Sequence, residues 1–171
     1  MPREDTPHTT ATPPLTPGPA NVPAPALMPV DDLLCFSFYA ASHAFTRVYK
    51  PLLDAIGLTY PQYLVMVALW EKDDQTVGGI GEKLGLESST LTPLLKRLEA
   101  LGLVTRSRDP ADERVVRVRI SAQGEALRAQ ARTIPECILK ATGLDLDDAV
   151  RLQREVTALR DALEKAAAGK L

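Results

Sequence analysis

Cysteine is scarce in this 171-residue chain: Cys35 and Cys137 are the only two, and they form no C-x-x-C pair. The two histidines, His8 and His43, stand alone. That scarcity argues against a structural zinc site, and no metal or cofactor is implied. Aromatic residues make up only 5 % of the chain, so a core must come from Leu, Val, Ile and Ala, which the 45 % hydrophobic content permits. No apolar run is long enough to span a bilayer, so no membrane partner is expected. The first residues lack the basic patch and apolar stretch of a secretory signal, and the expected compartment is the cytoplasm. There thiols rest reduced, and a disulfide is a signal rather than a staple. A large net charge is missing too: 20 Lys and Arg face 22 Asp and Glu, for a formal charge of −2. That balance argues against general affinity for polyanions.

What is present is unevenly placed. From Ser88 to Ile120 seven basic residues (Lys96, Arg97, Arg106, Arg108, Arg114, Arg117, Arg119) outnumber four acidic ones (Glu99, Asp109, Asp112, Glu113). A local basic surface on a slightly acidic chain fits specific binding to double-stranded DNA. Residues 1–30 hold nine of the fourteen prolines. Proline removes backbone donors and fixes φ, and this stretch has few apolar side chains, so it reads as a disordered tail.

From Val30 the pattern becomes helical. Asp31 or Asp32 can cap a helix carrying Leu34, Phe38, Ala41, Phe45, Val48 and Leu52, in which Pro51 marks a kink or a new start. Thr59 caps a second helix with Pro61 in its first turn, and Asp73-Asp74-Gln75 is a turn. A short helix spans Thr76 to Leu84, then Ser88 or Ser89 caps another running to about Leu101. Two helices joined by a short Gly-containing turn are the helix-turn-helix pattern. After Gly102 the period switches to two, and Val104 to Ile120 reads as a β-hairpin with a charged tip, a wing. Ser121 caps a long helix interrupted near Pro135. Asp145 or Asp147 caps a last one with Leu152, Val156, Leu159 and Leu163 on one face. The first and last helices carry more apolar surface than so small a winged core can cover, which points to a homodimer.

Three features carry candidate chemistry. On the helix from Ser88, the side chains of Ser88, Ser89, Thr90, Thr92, Lys96 and Arg97 remain for DNA once Leu91, Leu94, Leu95 and Leu98 pack inward. An ordinary capped surface helix would look the same alone, but the basic hairpin that follows favours DNA recognition. In that hairpin Arg106 and Arg108 supply charge, and Arg114 at the tip can enter a minor groove, oriented by a bidentate pair with Asp112. The plainer alternative is a surface salt bridge in a turn. Cys35 is the third feature. A lone cysteine on an apolar helix is usually inert core. Its place near a helix N-terminus, where the dipole favours thiolate, argues otherwise, as do a second thiol at Cys137 and the phenols Tyr49 and Tyr60. Tyr49 is fourteen residues on, ~21 Å along a continuous helix, so it reaches Cys35 only across a dimer. Whether Cys35 and Cys137 bond between subunits stays open at this level.

Together the segments Leu34–Ser42, Leu58–Met66, Leu91–Glu99 and Asp109–Arg114 resemble the multiple-antibiotic-resistance regulator (MarR) family, and within it the organic-hydroperoxide-responsive repressors. The resemblance covers residues 31 to about 165. It implies a mainly α fold with a small hairpin wing, a winged helix-turn-helix whose N- and C-terminal helices form the dimer interface. Residues 31–167 would be one domain, with 31–56 and 121–167 for dimerisation and 59–120 for DNA. It further implies a non-enzymatic repressor that holds operator DNA when reduced. Cys35 would react with an organic hydroperoxide, Tyr49 and Tyr60 would hydrogen-bond the reactive sulfur, and Cys137 would resolve it across subunits. A low-molecular-weight thiol would cap it if Cys137 lies too far away. A regulator answering to a small phenolic or lipophilic ligand, with Cys35 uninvolved, is the alternative. A thiol peroxidase and a helical scaffold are the readings outside this class.

Overall fold

The computed structural model describes residues 28–169; most of the proline-rich tail, residues 1–27, lies outside them. Seven α-helices and three short strands follow in order: α1 Leu34–Asp54, α2 Tyr60–Glu71, β1 Gln75–Thr76, α3 Val77–Leu84, α4 Ser88–Ala100, β2 Val104–Arg108, β3 Val116–Ile120, α5 Ala122–Ala131, α6 Ile134–Thr142 and α7 Leu146–Ala167. The chain divides within α1, after Ser37. Up to that point the described residues form a single 3-10 turn, Val30–Asp32, and the start of α1.

Asp31 and Asp32 do not cap α1. They lie in the 3-10 turn, and the Leu33 carbonyl takes the N–H groups of both Phe36 and Ser37, so the helix begins at Leu34. Pro51 does not start a new helix, since α1 runs through it to Asp54. At α2 the expected cap is present, with the Thr59 N–H donating to Gln62 Oε1 at 2.8 Å.

The helix-turn-helix is α3, a turn and α4. Thr76 Oγ1 accepts the Gly79 N–H at 3.0 Å and starts α3, while Gly85 at φ +63° ends it in the left-handed region. The glycines that make α3 a poor helix on propensity are explained in part by Gly81. A Cβ there would lie 2.8 Å from the Leu86 carbonyl oxygen, so only glycine lets α3 approach its own turn this closely. α4 is capped by Glu87, one residue before the expected serines, because the Glu87 carbonyl accepts the N–H groups of Thr90 and Leu91.

The hairpin forms as expected, β2 against β3 from Val104↔Ile120 to Arg108↔Val116. The turn after α2 hides an addition. Gln75 and Thr76 pair antiparallel with Val118 and Arg117, making a three-stranded sheet in the order β1-β3-β2. Two residues carry too little periodicity to read as a strand. Beneath the sheet lies the core, in which Val65, Met66, Ile80, Leu91, Leu95, Leu98 and Val118 are fully enclosed. Ser121 and Asp145 cap α5 and α7, through Gly124 N–H at 2.9 Å and Asp148 N–H at 2.8 Å. The interruption near Pro135 is a full break between α5 and α6. No residue of α7 is buried.

Candidate functional site

α4 separates its faces as the sequence implies. Leu91, Leu94, Leu95 and Leu98 are buried, while Ser88, Ser89, Thr90, Thr92, Lys96 and Arg97 are exposed. Ser88 and Thr92 of α4, Thr76 and Gly78 at the start of α3, and Arg106 and Arg114 of the hairpin line one groove of about 470 Å³. α4 and the hairpin thus present one concave, hydroxyl- and guanidinium-lined surface.

The arginines of the hairpin fall into two sets. Arg106 is tied to α4: its Nε and Nη2 donate to Glu99 Oε2 at 2.9 and 2.6 Å, and its backbone N–H donates to Glu99 Oε1 at 3.2 Å. Arg117 donates to Asp74 and Asp109, and Arg119 to Asp74. The Arg106 guanidinium lowers the carboxyl pKa of Glu99, the backbone N–H of Ala111 and then Arg117 lower that of Asp109, and Arg117 and then Arg119 hold that of Asp74 at about 2. Lys96, Arg97, Arg108 and Arg114 have no ion pair among the described residues, and Arg108 donates to the Glu113 carbonyl at 3.3 Å. The expected Asp112–Arg114 guanidinium pair is replaced by a turn. Asp112 Oδ1 accepts the backbone N–H of Arg114 at 3.0 Å, since a short carboxylate reaches the amide two residues on. The Arg114 side chain, at the exposed tip, stays available.

Cys35 is exposed in the first turn of α1, and Cys137 is exposed on α6. α1 runs from Leu34 to Asp54. Tyr49 and Tyr60 come together, ring centroids 4.7 Å apart, and Tyr63, which the sequence reading passed over, joins them at 6.1 Å from Tyr49. Tyr63 was hidden by its helical spacing, which reads as ordinary core. Burial first, then the neighbouring phenols, pushes the Tyr49 pKa up to about 12, and burial raises that of Tyr63. The Tyr49 hydroxyl therefore keeps its proton and can act as a donor. Tyr63 continues to Trp70, whose Nε1 donates to the Gly124 carbonyl at 3.0 Å, and the two line a cleft of about 710 Å³ between α2 and α5.

A helix-turn-helix followed by a basic hairpin defines a winged-helix regulator. The family model of the transcriptional regulators SarA/Rot matches residues 47–130. The chain is 42 % identical over 136 residues to the organic hydroperoxide resistance transcriptional regulator of Bacillus subtilis, covering 80 % of this chain and 92 % of that one. It is 46 % identical over 134 residues to the transcriptional regulator TtmR of Methylorubrum extorquens, covering 78 % and 69 %. Among solved structures it resembles reduced AbfR bound to DNA (TM-score 0.63, 38 % identity, 76 % and 91 % covered), a protein of Staphylococcus epidermidis. The same protein with its disulfide formed matches at TM-score 0.56 and 36 % identity, over 79 % and 90 %. The chain belongs to the MarR-like, SarA/Rot-type family of winged-helix transcriptional regulators, alongside the organic-hydroperoxide regulator. Among the described residues no helix is long and apolar enough to cross a membrane.

Proposed function

We propose that this chain is a redox-sensing transcriptional repressor of the cytoplasm. As a reduced homodimer it binds a pseudo-palindromic operator, with α4 in the major groove and Arg114 in the flanking minor groove. Ser88, Ser89, Thr90, Thr92, Lys96, Arg97 and Arg108 contribute close polar and phosphate contacts, and Arg106 acts chiefly by tying β2 to α4. An organic hydroperoxide meets the Cys35 thiolate of one subunit beside the Tyr49–Tyr60 pair of the other. The sulfur attacks the terminal oxygen and breaks the O–O bond, the departing alkoxide takes up the proton that the Cys35 thiol gave up and leaves as the alcohol, and Cys35 becomes a sulfenic acid. The Cys137 thiol of the other subunit attacks that sulfur and expels water, forming a disulfide. Where Cys137 does not reach, a low-molecular-weight thiol attacks in the same way. Drawing two sulfurs to ~2.05 Å moves the dimer helices and changes the spacing of the two α4 helices.

The observation that carries this reading is Cys35, exposed at the start of α1 in a chain 42 % identical to an organic hydroperoxide regulator. One equivalent of an organic hydroperoxide should give a covalent dimer on a non-reducing gel. Cys35→Ser and Cys137→Ser should give none, and reductant should reverse it. Intact mass separates the remaining outcomes. A capped or oxidised Cys35 means a one-cysteine sensor, whereas an unmodified chain defeats the redox reading.

A further inference from the structure

Arg117 stands where three segments meet. Its Nε donates to Asp74 Oδ1 and its Nη2 to the Asp74 carbonyl, both at 2.7 Å, while its Nη1 donates to Asp109 Oδ2 at 3.0 Å. Arg119 Nη2 adds a bond to Asp74 Oδ2 at 3.1 Å, and Asp73 Oδ1 accepts the Ile120 N–H at 2.8 Å. Asp74 is also the one non-glycine residue among those described with a positive φ, +54°, a conformation Asp tolerates at some cost. One side of Arg117 therefore holds the turn that leads from α2 through β1 into α3. The other side holds Asp109, where β2 opens into the tip that carries Arg114. The side chains of Arg117 and Asp109 are 27 % and 19 % exposed, against 71 % and 60 % for a helix-surface pair such as Lys50–Asp54, so this is a geometrically fixed contact rather than a loose surface pair.

We propose that Asp74 is a positioning residue for sequence selectivity. Through Arg117 and Asp109 it sets the wing tip against the helix-turn-helix, so that Arg114 and α4 meet one duplex in register. This rests on the operator-binding reading above. The same contacts withhold Arg117 and Arg119 from phosphate. Loosening the clamp therefore has two opposite effects: the tip loses its register, and two guanidinium groups are released for indiscriminate binding.

The test uses the reduced full-length chain, a duplex that wild type selects from a random library, and a scrambled duplex of the same composition. Asp74→Asn and Asp74→Ala should each lower the affinity ratio between the two duplexes, about tenfold for the alanine. Affinity for the scrambled duplex should stay level or rise at fixed salt. In an Arg114→Ala background the same substitutions should cost no further selectivity. A merely structural role would lower both affinities together through the folded fraction, and the cost would persist without Arg114. Either that pattern or a wild-type ratio in the Asp74 variants overturns the proposal. Asn keeps an oxygen acceptor and tolerates the left-handed backbone, so it carries the test if the alanine variant does not fold. If wild type enriches no sequence at all, the operator reading falls, and the proposal with it.

Discussion

At the scale of single residues, charge count is a poor guide to function and partner geometry a good one. Arg106 and Arg114 look alike in the sequence, both arginines of one basic hairpin. Glu99 takes Arg106 with two side-chain bonds and a backbone bond, while Arg114 keeps its side chain free at the tip. Arg114→Ala should therefore weaken operator binding about tenfold without moving the melting temperature, as read by anisotropy at fixed salt and by thermal melting. Arg106→Ala should lower the melting temperature as well. The two ionisable clusters give pH predictions of opposite sense. The Asp74 carboxyl is held at about 2, below the ~3.9 of an unfolded chain, so its contribution is present above that value and lost as pH falls towards 2. Melting temperature should fall less steeply for Asp74→Asn than for wild type across that acid range. Tyr49 is raised to about 12, so the folded chain holds a proton that the unfolded chain has released above ~10. Stability should drop as pH rises from 10 towards 12, and Tyr49→Phe should flatten that alkaline limb.

At the scale of elements, the helix-turn-helix is assembled by close approach as much as by apolar pattern. Leu98 on α4 is fully enclosed, and Leu98→Ala should cost about 2–5 kcal/mol in denaturant melts. Gly124 plays the complementary part. A Cβ at this first turn of α5 would strike the Leu103 carbonyl oxygen and crowd Met66 Cε, so α5 is anchored to the winged core by an absent side chain. Gly124→Ala should destabilise by about 1–3 kcal/mol, and Trp70, bonded to the Gly124 carbonyl, should report the shift by fluorescence. Most helices were legible in the sequence, because caps and 3.6-residue spacing are local signals. Strand β1 was not, since its two residues are extended only because β3 lies alongside. The cap of α4 at Glu87 was missed for a related reason. Ser88 and Ser89 are better capping residues by type, but the backbone leaving Gly85 places the first helical carbonyl at Glu87.

At the scale of the whole molecule, apolar residues outnumber the places to bury them. Leu34, Phe38, Phe45 and Val48 of α1 are exposed, as are Leu146, Val150, Leu152, Val156 and Leu163 of α7. Isolated exposed leucines need no explanation, but rows of them along two long helices do. A second copy of the chain is the cover consistent with a regulator reading two half-sites. Leu152→Lys with Val156→Lys should shift sedimentation equilibrium towards monomer and weaken operator binding. The melting temperature of wild type should rise with protein concentration, and that of the double variant should not.

The sequence by itself determined the class of fold, the inward leucines of α4, the exposed hydroxyl and basic face, and the placing of a cysteine-bearing helix ahead of a winged helix. Each follows from local periodicity, capping chemistry or a short motif, which act over a few residues. Tertiary structure alone decided which arginines are spent inside the protein. Asp74 and Arg117 are far apart in the chain, and so are Trp70 and Gly124, and no local rule names a partner at that range. It also gathered Tyr49, Tyr60 and Tyr63 into one cluster and turned Asp112 from the Arg114 guanidinium to its backbone amide. Long-range hydrogen bonds and ring contacts are made where folded elements meet, and the angle at which they meet is set by packing in the core rather than by neighbours in sequence.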